Sequence, residues 1–140
     1  MSLVIDSSVA LSSVFADETQ ASVDRILEMV VSEGAVVPAI WHLEVANGFL
    51  QGVKRRRIDL QGRAEALADL SAFNIAIDPA TSSFAWRRTL ELADLFSLTA
   101  YDASYLELAE RRAPRLATLD RQLEKAGRKL GIPVLTGQRD

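Results

Sequence analysis

The chain repeatedly sets a short apolar run beside a stretch with helical periodicity, and this alternation restricts its fold more than any other feature. Leu3-Val4-Ile5, Ala35-Val36-Val37, residues 74–77, Leu116-Ala117-Thr118 and Pro133-Val134-Leu135 read as strands. Helical patterns separate them. Ser7-Ser8 caps a first helix that runs to about Phe15. Val23, Ile26, Leu27 and Val30 stripe a second, which Gly34 ends. Pro38 opens a third, running to about Arg56. Leu60, Ala64 and Leu67 mark a fourth, and another falls near 84–94. Leu98, Tyr105, Leu106 and Ala109 share one face of a helix that Pro114 stops. The last, over 121–130, is closed by Gly131. This order predicts an α/β fold: a single domain over residues 1–140, with a parallel sheet of about five strands flanked by helices on both faces.

At 140 residues the chain is long enough to bury roughly two thirds of its unfolded surface. A hydrophobic content of 49% with 25% charged residues suits an ordinary globular protein. No apolar run approaches the ~20 residues that cross a bilayer. The start does not read as a signal peptide, because a strand is under way by Leu3 and is followed at once by Asp6. With no cysteine there is no disulfide and no thiolate metal site, and a cytoplasmic setting is expected. The net charge of −3 argues against holding nucleic acid by bulk charge. It leaves room for local basic surface: Lys54, Arg55, Arg56 and Arg57 form one run, and Arg111, Arg112, Arg115, Arg121, Arg128 and Lys129 crowd the last third.

Four acids stand where an ordinary core would not put them. Asp6 follows the first strand directly, and Asp120 follows Leu116-Ala117-Thr118-Leu119. Open α/β sheets bind ligands at the carboxyl ends of their strands. Glu44 lies early in the helix after strand 2, within AIWHLEVANGF. Asp102 interrupts the apolar face of LTAYDASYLELA. A helix that leads into a parallel strand runs antiparallel to it, so its first turn lies at the same carboxyl edge. The topology therefore predicts that Asp6, Glu44, Asp102 and Asp120 share one cleft.

Each acid also has a purely structural explanation. Asp6 and Asp120 suit helix N-caps, Thr99 with Asp102 fits a capping box, and Glu44 fits a solvated helix position. Together, however, the four would repel one another by about 1 kcal/mol per close pair in water, and by more in a cleft. Arg121, beside Asp120, is the one basic neighbour of the strand-end and buried acids. A divalent cation is the simplest remaining partner, and an all-oxygen donor set suits Mg²⁺ or Mn²⁺. Zinc fits poorly: there is no cysteine, and the single histidine, His42, lies two positions from Glu44 and points elsewhere on the helix. His42 reads as structural or surface.

VIDSSVAL at 4–11, HLEVANGF at 42–49, LTAYDASYLELA at 98–109 and LATLDRQLEKAGRKLGIPVL at 116–135 together resemble the PIN-domain ribonucleases, and specifically the VapC toxins of bacterial type II toxin–antitoxin pairs. The resemblance covers nearly the whole chain in order. It implies a metal site at Asp6, Glu44, Asp102 and Asp120, with Ser8 and Thr118 at the accompanying polar positions. It also implies Mg²⁺- or Mn²⁺-dependent RNA cleavage, a homodimer, and an antitoxin whose C-terminal segment covers the active-site groove.

On this reading Ser8 and Thr118 orient the carboxylates, and Arg55, Arg56, Arg57, Arg111, Arg112 and Arg121 are candidates for gripping RNA. A solvated helix end is the competing explanation for the run at 55–57. Trp41, Phe49, Trp86 and Phe96 suit either core packing or a dimer surface. Two other functions remain. An aspartate-based phosphohydrolase would need a second acid two residues after Asp6, where Ser8 stands. A non-catalytic interaction module of the same fold would not need an intact acid set.

Overall fold

The computed structural model describes residues 2–15, 20–113 and 115–136. The assignment of Pro114 as a helix stop lies outside the described residues. Five short strands form one sheet: β1 (Leu3–Ile5), β2 (Ala35–Val37), β3 (Ile75–Ile77), β4 (Leu116–Ala117) and β5 (Val134–Leu135). Their order is β3-β2-β1-β4-β5 and every pairing is parallel. Register runs straight across the middle, with Val4 opposite both Val36 and Leu116. The parallel sheet read from the sequence is present, with strand ends one residue shorter at β3, β4 and β5 than the apolar runs suggest.

Eight helices are found among the described residues: α1 (Ser7–Phe15), α2 (Gln20–Glu33), α3 (Trp41–Lys54), α4 (Leu60–Ser71), α5 (Thr81–Ala85), α6 (Arg88–Phe96), α7 (Ala100–Arg112) and α8 (Arg121–Lys129). Parallel connections are right-handed. Winding from β1 through β2 to β3 therefore carries α1–α4 to one face. The return through β4 to β5 carries α5–α8 to the other. The winding reverses between β1 and β4, and this is where open α/β sheets form a crevice at their carboxyl edge. Among the described residues, no helix is long and apolar enough to cross a membrane.

The structure corrects several sequence expectations. The first helix is capped by Asp6, whose Oδ1 accepts from the Val9 N–H at 3.3 Å, rather than by Ser7-Ser8. Pro38 precedes a turn, and α3 begins only at Trp41. The single helix placed near 84–94 is two, α5 and α6, broken at Trp86 and Arg87. The largest change concerns α7. The sequence pattern predicts a one-sided apolar stripe, but residues 103–109 are all buried, Ser104 and Glu107 included. This helix packs on β1 and β4 and is walled by α5, α6 and α8. Trp41 and Phe49 belong to the core, while Trp86 is 88% exposed and Phe96 is half-buried.

One ionic cluster ties the end of β3 to the end of α7. Asp78 is 1% exposed, and its Oδ2 lies 2.6 Å from Arg111 Nη2 and its Oδ1 2.8 Å from Arg112 Nη1. Arg111 also meets Glu107 at 2.7 Å and lies over the Phe84 ring. Burial pushes the Asp78 carboxyl up, but the two guanidiniums outweigh it and hold the group below the usual carboxylate range. Removing one partner of such a cluster leaves uncompensated charge. Asp78→Ala is therefore expected to cost about 2–4 kcal/mol. Denaturant midpoints at constant slope measure this; a loss within error would mean that the arginines find solvent instead.

Candidate active site

The last hydrogen bonds of β1 and β4 set the geometry. The Asp6 N–H reaches Ala117 O at 3.2 Å and the Thr118 N–H reaches Leu135 O at 3.0 Å, so both loops leave the sheet side by side. Asp6 is 5% exposed. Its Oδ1 accepts from Ser8 Oγ at 2.5 Å, and its Oδ2 accepts from the Thr118 hydroxyl. Each hydroxyl has one proton, spent on Asp6, and each accepts a backbone N–H in return. Leu119 N–H donates to Ser8 Oγ at 2.9 Å, and Asp120 N–H donates to Thr118 Oγ1 at 3.0 Å. The two residues therefore fix Asp6 and also bind the β1 loop to the β4 loop.

Asp120 caps α8, accepting from Gln122 N–H at 2.8 Å and Leu123 N–H at 3.0 Å through Oδ1. Thr99 caps α7 by accepting from Asp102 N–H at 3.1 Å, as the capping-box reading expects for that side. Asp102 is half-buried in the first turn of α7. Glu44, half-buried in the first turn of α3, accepts from the hydroxyl of Tyr105. Caps and cluster are thus compatible: Asp6 and Asp120 serve helix ends, and the Asp120 charge is still felt by Asp6 and Asp102.

Their charges are felt mutually. Burial pushes the Asp6 carboxyl from 3.8 to about 6, and Asp120 adds to the rise. Burial also raises Glu44, with Asp102 contributing, and raises Asp102, with Asp120 contributing. Among the described residues, no lysine or arginine forms an ion pair with any of the four acids. Nor do any three carboxylates or imidazoles among them stand close enough to make a ready-formed metal cage. The coupling runs from Asp6 to Asp120, from Asp120 to Asp102 and from Asp102 to Glu44, so the four acids form a chain of neighbours rather than a closed shell.

The predicted basic residues divide. Arg111 and Arg112 are engaged with Asp78 and Glu107, so their charge is already met inside the fold. Arg121 is exposed at the start of α8. Arg55 and Arg57 line a groove of about 380 Å³ that begins at Ser8 and also takes in Gln51. Its walls, α1 and α3, approach closely because of two glycines. A Cβ at Gly48 would stand 2.4 Å from Leu11 Cδ1, and one at Gly52 would stand 2.5 Å from Phe15 Cζ. Arg56 takes a left-handed φ of 60° just beyond α3, a position glycine usually fills. The reversal returns Arg57 to the groove, where its guanidinium lies 4.7 Å from the Phe15 ring centre and Nη2 donates to Phe15 O at 3.0 Å. His42 is exposed, its ring edge-on to Trp41. The apolar periodicity of α7 marks Tyr105 only as core. The signal for a further role is a tyrosine, rather than a phenylalanine, three residues after Asp102 on the same helix face.

This fold is that of a recognised class: the PIN domain family profile matches residues 3–129, and the chain belongs to that family. Ribonuclease VapC3 of Pyrobaculum aerophilum is 28% identical over 123 residues, covering 88% of this chain and 92% of that protein. Ribonuclease VapC9 of Mycobacterium tuberculosis is 28% identical over 125 residues, covering 89% and 91% respectively. The crystal structure of PAE2754 from Pyrobaculum aerophilum shares the fold with a TM-score of 0.66, at 24% identity over 90% of this chain and 86% of that one.

The raised Asp6 carboxyl has a consequence for stability. The folded state holds this proton more tightly than the unfolded chain does. The contribution is therefore complete below pH 3.8 and is lost as pH rises through about 6. In metal-free buffer at neutral pH, Asp6→Asn is expected to be more stable than wild type by roughly 1–3 kcal/mol. That advantage should vanish below the ordinary carboxylate range. Thermal melts at the two pH values decide; a destabilised Asp6→Asn at neutral pH would mean the fold itself satisfies the charge.

Proposed function

We propose that this chain is a metal-dependent endoribonuclease of VapC type, the toxin of a toxin–antitoxin pair. The observation that carries the reading is the unmatched negative charge of Asp6, Glu44, Asp102 and Asp120 around the β1/β4 switch point. Kinship with proteins named VapC ribonucleases supports RNA as substrate and an antitoxin as partner.

The donor set fits a hard divalent ion. It is all oxygen, burial pushes the Asp6, Glu44 and Asp102 carboxyls up, and among the described residues it includes no basic partner. Asp6, Asp102 and Asp120 are the proposed ligands of Mg²⁺ or Mn²⁺, with Glu44 as a further ligand or as the group that orients the attacking water. Such an ion, when bound, lowers the pKa of water and offsets charge building on the phosphate. Ser8 and Thr118 keep both Asp6 oxygens at fixed angles. Arg55 and Arg57 offer positive charge along the groove that leads from Ser8, so a single strand laid there would have its phosphates beside them and its scissile bond near the acids. The doubly donated Asp6 weighs against an aspartyl-phosphate enzyme, whose nucleophilic oxygen must be free to attack.

We further propose a cytoplasmic homodimer in which the exposed Trp86 is a candidate for the subunit contact, and an antitoxin segment that covers the acid edge.

Asp102→Asn and Asp6→Asn are expected to abolish RNA cleavage while leaving the circular dichroism spectrum unchanged. Mapping of RNA ends after expression of wild type and Asp102→Asn tests this, and full cleavage by either variant would sink the site. Chelation should abolish wild-type cleavage, and Mg²⁺ or Mn²⁺ should restore it.

In the inactive Asp6→Asn background, Arg55→Gln should flatten the salt dependence of RNA binding. The slope of log affinity on log salt should fall by about 0.7 for each phosphate that is no longer neutralised. An unchanged slope would remove Arg55 from the RNA path.

A further inference from the structure

Tyr105 is 1% exposed in the middle of α7, yet its hydroxyl leaves the core to donate to Glu44 Oε1 on α3. The two helices lie on opposite faces of the sheet and meet here, over its carboxyl edge. Asp102 and Tyr105 are three residues apart, so they share one face of α7. This face thus presents one acid and one hydroxyl that holds another acid.

A glutamate has three rotatable side-chain bonds and gives up their conformational freedom when it is fixed. Glu44 also feels the negative charge of Asp102. Untethered, it would swing toward solvent and away from that charge. Asp6 is held by two hydroxyls, from Ser8 and Thr118. Among the described residues, Tyr105 is the one hydrogen-bond donor to the Glu44 carboxylate. A buried tyrosine rather than a phenylalanine needs such a partner for its hydroxyl. The contact occupies Oε1 and leaves Oε2 as the oxygen available to a ligand.

We propose that Tyr105 is a positioning residue that holds Glu44 in the site through Oε1, so that Glu44 acts through Oε2. This rests on the metal-dependent reading of the four acids. Tyr105 does not touch the substrate. It acts through Glu44, and its effect must disappear when Glu44 can no longer act.

The test compares full-length wild type, Tyr105→Phe, Glu44→Gln and the double variant. Mn²⁺ binding is measured by calorimetry, cleavage by kcat and KM, and folding by thermal melts. Tyr105→Phe preserves the ring that fills the core. It is expected to weaken Mn²⁺ binding and lower kcat by roughly tenfold each, with KM for RNA unchanged. In the Glu44→Gln background it should cause no further loss. Tyr105→4-aminophenylalanine keeps a donor at the para position and should restore much of both values, even if the phenylalanine variant folds poorly. The proposal is overturned by wild-type Mn²⁺ affinity and kcat in Tyr105→Phe. It is equally overturned by a tenfold loss that persists in the Glu44→Gln background, or by failure of the amino variant to rescue. Asp6→Asn separates the two levels. If it loses Mn²⁺ binding while Tyr105→Phe does not, only the role of Tyr105 falls; if it binds Mn²⁺ and cleaves as wild type does, the metal-dependent reading falls with it.

Discussion

A buried carboxylate at the point where the sheet reverses its winding is the constraint on which the rest of the structure depends. Asp6 terminates β1, caps α1 and accepts both hydroxyls that tie the β1 loop to the β4 loop. A charge in that position is costly to bury. The surrounding groups reduce the cost only in part, because the carboxyl still rises to about 6. The site therefore combines tight positional control with incomplete charge compensation. Well-oriented oxygens with unmet negative charge are what a hard cation requires.

Two packing units converge on that carboxylate. On one face, Gly48 and Gly52 let α1 settle against α3, which brings Glu44 and the arginine-lined groove beside Ser8. On the other, α7, buried over residues 103–109, sits between the sheet and its neighbouring helices, and it brings Asp102 and Tyr105. The Asp78 cluster anchors the far end of α7 through Arg111 and Arg112. The ionic cluster is thus part of what orients the helix, although none of its members belongs to the acid edge.

Much of this is legible in the sequence, and the physical reason is locality. Apolar runs that end on aspartate mark the strand ends where Asp6 and Asp120 stand, and Gly34 takes the left-handed conformation expected of a helix terminator, with φ of 78°. Ser8 lies two residues from Asp6, so that contact is local, whereas Thr118 reaches Asp6 across 112 residues and only through the pairing of β1 with β4. What stays hidden depends on distant partners. Nothing local reveals that Asp78 collects two arginines more than thirty residues away. The Tyr105–Glu44 contact spans 61 residues and joins opposite faces of the sheet. The split between α5 and α6 arises at Trp86-Arg87, where Arg87 has left helical angles, and no glycine or proline announces it. The enclosure of α7 escapes the pattern because hydrophobic periodicity records a helix's own residues, not the number of neighbours that cover it.

That enclosure determines how the site can move. Residues 103–109 are buried on every side, so their amide protons can reach solvent only when the surrounding core opens. Asp102 and Tyr105 are therefore mounted on an element whose opening is nearly coextensive with unfolding. Glu44 rides on α3, which Arg55 and Arg57 follow directly, and the outer face of that helix is exposed at His42, Leu43, Ala46, Asn47, Leu50 and Gln51. The side of the site that the core does not enclose is therefore the α3 side. The acid edge is thus asymmetric in burial as well as in sequence.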